Sequence, residues 1–156
     1  CVVFLLLLLN VVTRSFGTPL IWVDELAFYV MIWAALIGAS IGIRNRDHIA
    51  MTLLTDMLPA ANRRALLIGV DAALLVFFVI FGVILWNWFD PVGALSAETL
   101  ADFSQQSFNF IYEEPTTTIG MRKVWFWLIL PVFFLSGALH ASANLAARLR
   151  GGEGER

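Results

Sequence analysis

Four long apolar runs dominate the chain, at residues 1–13, 22–43, 65–89 and 124–147, with polar stretches between them. Each of the last three exceeds the ~20 residues a helix needs to cross a ~30 Å hydrocarbon core. The first reaches only ~20 Å at helical rise and begins in mid-run, so upstream residues are expected to complete it. Helices suit such runs, because an open sheet would leave unpaired backbone groups in lipid. The pattern predicts an all-α integral membrane protein with four transmembrane helices, at about 1–14, 22–43, 65–89 and 121–147. They form a single membrane domain over 1–156.

The stretches between the runs have patterns of their own. In "RNRDHIAMTLLTDMLPAANRR", Asp47 is placed to cap a helix and Pro59 to end it. At 100° per residue, Ile49, Ala50, Met51, Leu53, Leu54, Met57 and Leu58 share a broad face, opposite Thr52, Thr55 and Asp56. This predicts an amphipathic arm helix over about 48–58, lying in the membrane interface between helices 2 and 3. A long loop over 90–120 carries no Lys or Arg. Within it Leu100, Phe103, Phe110 and Ile111 fall near one helical face, with Ser96 as the expected cap. The end of the chain, 148–156, reads as a tail, and "GGEGER" as its disordered part.

Composition supports the membrane reading. Apolar residues make up 60% of the chain and charged residues 14%, against about 45–50% and about 25% in soluble domains. Mean hydropathy is +0.81. A net charge of −2 with no basic stripe excludes nucleic acid as a partner. The one cysteine, Cys1, allows no intrachain disulfide.

Charge also orients the chain. Arg44, Arg46, Arg63, Arg64, Arg148, Arg150 and Arg156 fall on one side of the four spans, and only Arg14, Arg122 and Lys123 on the other. The Arg-rich side is expected to be cytoplasmic, which puts both termini there. Asp24, Glu25, Asp90, Glu98, Asp102, Glu113 and Glu114 then lie outside.

Few positions carry chemistry. Ala34, Gly38 and Gly42 make a small-residue ridge on helix 2, a spacing that lets helices approach closely in lipid. Asp71 sits well inside the third run, and His140 lies at similar depth in the fourth. An acid there is costly unless paired or hydrated, so an Asp71–His140 pair is one reading, with separate local capping or snorkelling as the other. His48 and His140 differ in depth, which argues against bis-His haem ligation. The sequence contains no nucleophile–base pair, metal-ligand cluster or phosphate loop. No cofactor is expected, and the chain does not read as an enzyme.

The stretches "WVDELAFYVMIW" and "GASIGIRNRDHIAMTLLTDMLP" resemble the small membrane subunit of tripartite ATP-independent periplasmic (TRAP) transporters, the DctQ family. That family shows a Trp and two acids at the start of its second helix, then an Arg, a His-Ile pair and an apolar stretch closed by Leu-Pro. Here these are Trp22, Asp24, Glu25, Arg44 or Arg46, His48, Ile49, Leu58 and Pro59. Thr52 stands where the family often has an acid, and the loop before the last helix is longer than usual.

The resemblance implies a scaffold subunit of a sodium-driven, binding-protein-dependent transporter for organic acids in the bacterial inner membrane. Its partners would be a large membrane subunit of the DctM type, a periplasmic solute-binding protein and the lipid bilayer. Trp22, Asp24, Glu25, Ala34, Gly38, Gly42, Arg44 and His48 would form the partner interface. A membrane-anchor subunit of a redox or energy-coupling complex is the competing class. Asp24 and Glu25 have two readings: carboxylates that complement the partial positive charge of a helix N-terminus, or groups that help dock the binding protein.

Overall fold

The computed structural model of the chain describes residues 2–45 and 59–150. The arm helix expected over 48–58, with His48, lies outside the described residues, as does the tail at 151–156. The described residues are helical without a β-strand; a single antiparallel bridge joins Pro115 and Arg122. The helices are α1 Val2–Ser15, α2 Ile21–Asn45, α3 Ala60–Phe89, α4 Pro91–Ser96, α5 Leu100–Ser107, α6 Val124–Trp127 and α7 Ile129–Leu149. Three helical stretches are long and apolar enough to cross a membrane: Ile21–Asn45, Asn62–Ser96 and Val124–Leu149. The 14 residues of α1 make a shorter apolar helix.

The helix ends follow local chemistry. Helix α3 begins five residues before the apolar run, because Pro59 lends its carbonyl to Arg63 N at 2.9 Å and the following residues are good helix formers. Where a continuous last helix was expected, α6 and α7 are separate. Pro131 has no N–H to offer the carbonyl four residues back, on Trp127, and α6 ends at that residue. Asp90 caps α4 by accepting from Gly93 N at 3.0 Å, with Pro91 in the first turn. Thr99, not Ser96, caps α5: its hydroxyl accepts from Asp102 N at 3.1 Å. Ser96 closes α4 instead, and Phe110 and Ile111 lie beyond the end of α5.

The chain divides into two compact units, Cys1–Leu36 with Trp88–Ile129 and Ile37–Asn87 with Leu130–Arg156. The first has Val23, Ala27, Tyr29, Phe103 and Ile111 in its interior. The second is centred on Phe78, which is 1% exposed and packs against Phe133 with ring centroids 5.6 Å apart. There α3 and α7 meet closely, with the Phe78 ring lying over Gly137 and the Phe134 ring over Gly82. Elsewhere the apolar side chains face outward. Only 11% of the most apolar window of 62–96 is buried, so residues such as Val79, Ile80, Val83 and Ile84 suit contact with lipid.

A methyl group added at Gly137 would collide with the buried Phe78 ring. Gly137→Ala is expected to destabilise the chain by about 1–3 kcal/mol, the usual scale of overpacking. Thermal unfolding in detergent measures it, and a variant as stable as the parent would show that the ring moves freely.

Candidate functional site

The two acids at the start of α2 are engaged by other parts of the chain. Asp24 accepts hydrogen bonds from Asn10 Nδ2 and from Arg14 Nη2, the latter at 2.8 Å. Arg14 Nε donates in turn to Asn10 Oδ1 at 3.1 Å. Asn10 is buried in the middle of α1, in a run of leucines and valines where an unbonded amide would be costly. Asn10, Arg14 and Asp24 thus form one polar knot that fastens α1 to α2. Asp24 also lies in the first turn of α2, where its negative charge complements the partial positive charge of the helix start.

Glu25 holds a loop. Its carboxylate accepts from three successive backbone N–H groups, those of Thr117 at 2.9 Å, Thr118 at 2.7 Å and Ile119 at 3.3 Å. The Thr118 hydroxyl adds a bond of 2.6 Å. Consecutive N–H groups turned to one side make a concave cradle for an anion, and here the anion comes from the same chain. The cradle is closed by Thr116 N donating to Met121 O at 2.6 Å and Met121 N to the Thr116 hydroxyl at 3.0 Å. Gly120, at φ +77°, makes the turn possible. The turn leaves Met121 and Arg122 exposed.

Aromatic contacts extend this cluster along α2. Tyr29 stacks on Phe126 with centroids 4.1 Å apart, and Trp33 Nε1 donates to the Phe126 carbonyl at 2.8 Å. Trp22 is partly exposed at the helix start, as a membrane-interface indole would be. The loop is also tied to the end of α3. Asn109 Nδ2 donates to Trp88 O and the Tyr112 hydroxyl to Phe89 O, both at 2.6 Å, which satisfies carbonyls that the helix end leaves open. Burial, and then the charge of Asp90, push the Tyr112 phenol above its ordinary value, so it stays protonated as a donor. Lys123 pairs with Glu114, and that hydrogen bond raises the Lys123 ammonium above its ordinary range.

The second unit holds the intramembrane acid. Asp71 Oδ2 accepts from Arg148 Nε at 2.7 Å, with both side chains about nine-tenths buried. Arg64 Nη2 reaches the Arg148 carbonyl at 3.3 Å. The partner of Asp71 is therefore Arg148, where depth alone suggested His140. His140 is half-buried and makes no hydrogen bond to Asp71 among the described residues. In the same unit, the Ser40 and Ser136 hydroxyls bond at 2.9 Å, and Asn144 Nδ2 caps Ile43 O at 2.8 Å.

The small-residue ridge of α2 behaves differently. Ala34 and Gly38 are exposed, Gly42 is half-buried, and a Cβ built on either glycine would meet none of the described residues within 4 Å. Arg44 is exposed at the end of the same helix. Sequence reasoning missed Asn10, Thr117, Thr118 and Arg148 as partners. Asn10 alone carried a signal, as a single amide in a leucine run.

Comparison with known proteins adds a family. The family described as "Tripartite ATP-independent periplasmic transporters, DctQ component" matches residues 3–151. The sialic acid TRAP transporter small permease protein SiaQ of Vibrio cholerae is 27% identical over 153 residues, covering 92% of this chain and 78% of that protein. The C4-dicarboxylate TRAP transporter small permease protein DctQ of the same organism is 30% identical over 88 residues, 56% of this chain and 38% of that protein. The sialic acid TRAP transporter permease protein SiaT of Haemophilus influenzae is 31% identical over 80 residues, 51% of this chain and 13% of that protein.

Two outcomes follow from the geometry. Asp71→Asn takes the carboxylate out of the buried pair with Arg148 and is expected to cost about 3–5 kcal/mol, the scale for breaking a buried pair; His140→Ala, which leaves that pair intact, should cost much less. Unfolding of the variants in detergent measures the difference, and equal losses would argue against Arg148 as the partner. Glu25→Gln turns an amide N–H₂ toward backbone donors, so the 116–121 turn should loosen. Limited trypsin digestion reads this directly: cleavage after Arg122 and Lys123 should accelerate, and an unchanged rate would show that the cradle does not need the charge.

Proposed function

Because the chain belongs to the DctQ component family of tripartite ATP-independent periplasmic transporters, we propose that it braces a large membrane permease and helps seat a solute-binding protein. Members of this family are transporter components, not enzymes, and this chain is a membrane protein with three helical stretches able to cross a bilayer. In the proposed arrangement α1 is a fourth span and both termini are cytoplasmic. The membrane is the bacterial inner membrane. Uptake is driven by sodium, and the solute is an organic acid. Relatives named for sialic acid and for C4-dicarboxylate transport support that solute class.

The observation that carries the bracing role is the open ridge of α2. Small residues let a helix approach another closely in lipid, and no described residue of this chain lies within 4 Å of a Cβ at Gly38 or Gly42. The stretch of SiaT that resembles this chain makes up only 13% of that permease. This supports a large membrane partner, facing Ala34, Gly38, Gly42 and Arg44, with His48 close by in sequence.

The docking role rests on α2's other end. Asp24 and Glu25 have their carboxylates occupied by the chain's own α1 and 116–121 turn. In this reading they position a surface, with Trp22, Met121 and Arg122 free to meet the binding protein.

Co-purification tests the bracing role. Gly38→Leu with Gly42→Leu should abolish recovery of the large permease with the tagged chain, while the isolated chain keeps its thermal stability in detergent. Full recovery of the permease by the double variant would sink the assignment of this face.

A further inference from the structure

One cleft has no part in the bracing or docking surfaces. It measures about 460 Å³, and its lining includes Trp88, Phe108, Phe110, Glu114, Lys123 and Trp127. This is the volume range of small-molecule sites. Trp88 and Trp127 meet edge to face, with centroids 5.7 Å apart. Trp88 stands in the last turn of α3 and Trp127 just ahead of α7, at the ends of long apolar helices. Indoles favour the headgroup level of a bilayer. Phe108 is 83% exposed, so the chain leaves an aromatic wall uncovered at that level. The side chain of Asn109 is committed to Trp88 O and Ile111 N, and shapes the wall rather than offering itself to a ligand.

The charges in the cleft narrow the choice of occupant. Lys123 Nζ donates to Glu114 Oε1 and has two further N–H groups; Glu114 Oε2 carries no hydrogen bond among the described residues. The cleft therefore presents donors and an acceptor side by side, next to an apolar surface. A purely anionic headgroup would satisfy Lys123 but face the Glu114 carboxylate. A choline headgroup has no N–H for Glu114. A headgroup with both a phosphate and a primary ammonium satisfies both.

We propose that this cleft is a binding site for phosphatidylethanolamine, with its phosphate on Lys123, its ammonium on Glu114 and its glycerol and upper acyl carbons on the aromatic wall. The site fixes a lipid against the loop that carries the Glu25 cradle.

Native mass spectrometry of the full chain, delipidated in detergent and offered equimolar phosphatidylethanolamine, phosphatidylglycerol and phosphatidylcholine, tests this. Phosphatidylethanolamine should be retained most. Lys123→Gln should lower its retention about tenfold, the scale of losing a hydrogen bond to a charged group, and Lys123→Arg should preserve it. Glu114→Gln should bring phosphatidylethanolamine down to the level of phosphatidylcholine. Equal retention of the three lipids by the unaltered chain, or undiminished phosphatidylethanolamine in Lys123→Gln, would overturn the site. The ranking in the unaltered chain needs no variant, so it decides even where a substitution unfolds the protein.

Discussion

A polar group inside a hydrocarbon layer has no water to bond, and that constraint organises this structure. Every polar atom carried into the apolar runs must find a partner from the protein. No buried side-chain nitrogen or oxygen among the described residues lacks one. Asn10 meets Asp24 and Arg14, Ser40 meets Ser136, and Asp71 meets Arg148. In each case the polar contact also ties one helix to another. The few polar residues of the runs thus do much of the fastening, because apolar contacts gain little where lipid competes for them.

The same logic explains the ends of the helices. Carbonyls at the end of α3 are closed by Asn109 and Tyr112, and the first N–H groups of α4 and α5 by Asp90 and Thr99. The loop between α3 and α6 is consequently built of short helices and side-chain caps. Glu25 completes it by binding three backbone N–H groups of one turn. An anion in such a cradle needs no lysine or arginine opposite it, and the loop before Met121 has none.

Glycine separates the two kinds of helix surface. At Gly82 and Gly137 aromatic rings occupy the space a side chain would take, so the glycines serve contact within the chain. At Gly38 and Gly42 no described residue fills that space. Equivalent residues in sequence therefore have different work, and only the positions of neighbouring rings distinguish them.

The sequence by itself determined the all-helical membrane character, the three long spans and the family resemblance. These depend on run length, composition and a local motif, and need no knowledge of what lies across the bundle. It also marked Asp24, Glu25 and Asp71 as carboxylates needing an explanation. Their partners were decided only by tertiary structure. Asp24 and Arg14 lie ten residues apart, Glu25 and Thr118 ninety-three, and Asp71 and Arg148 seventy-seven. Matching Asp71 to His140 by depth assumed that a side chain acts at the level of its own backbone. A long arginine does not obey that assumption, because its guanidinium reaches a turn or more away from its Cα. The split of the last helix was legible at Pro131, but the cradle for Glu25 was not. It is made of backbone N–H groups, which any sequence supplies and only a particular turn aligns.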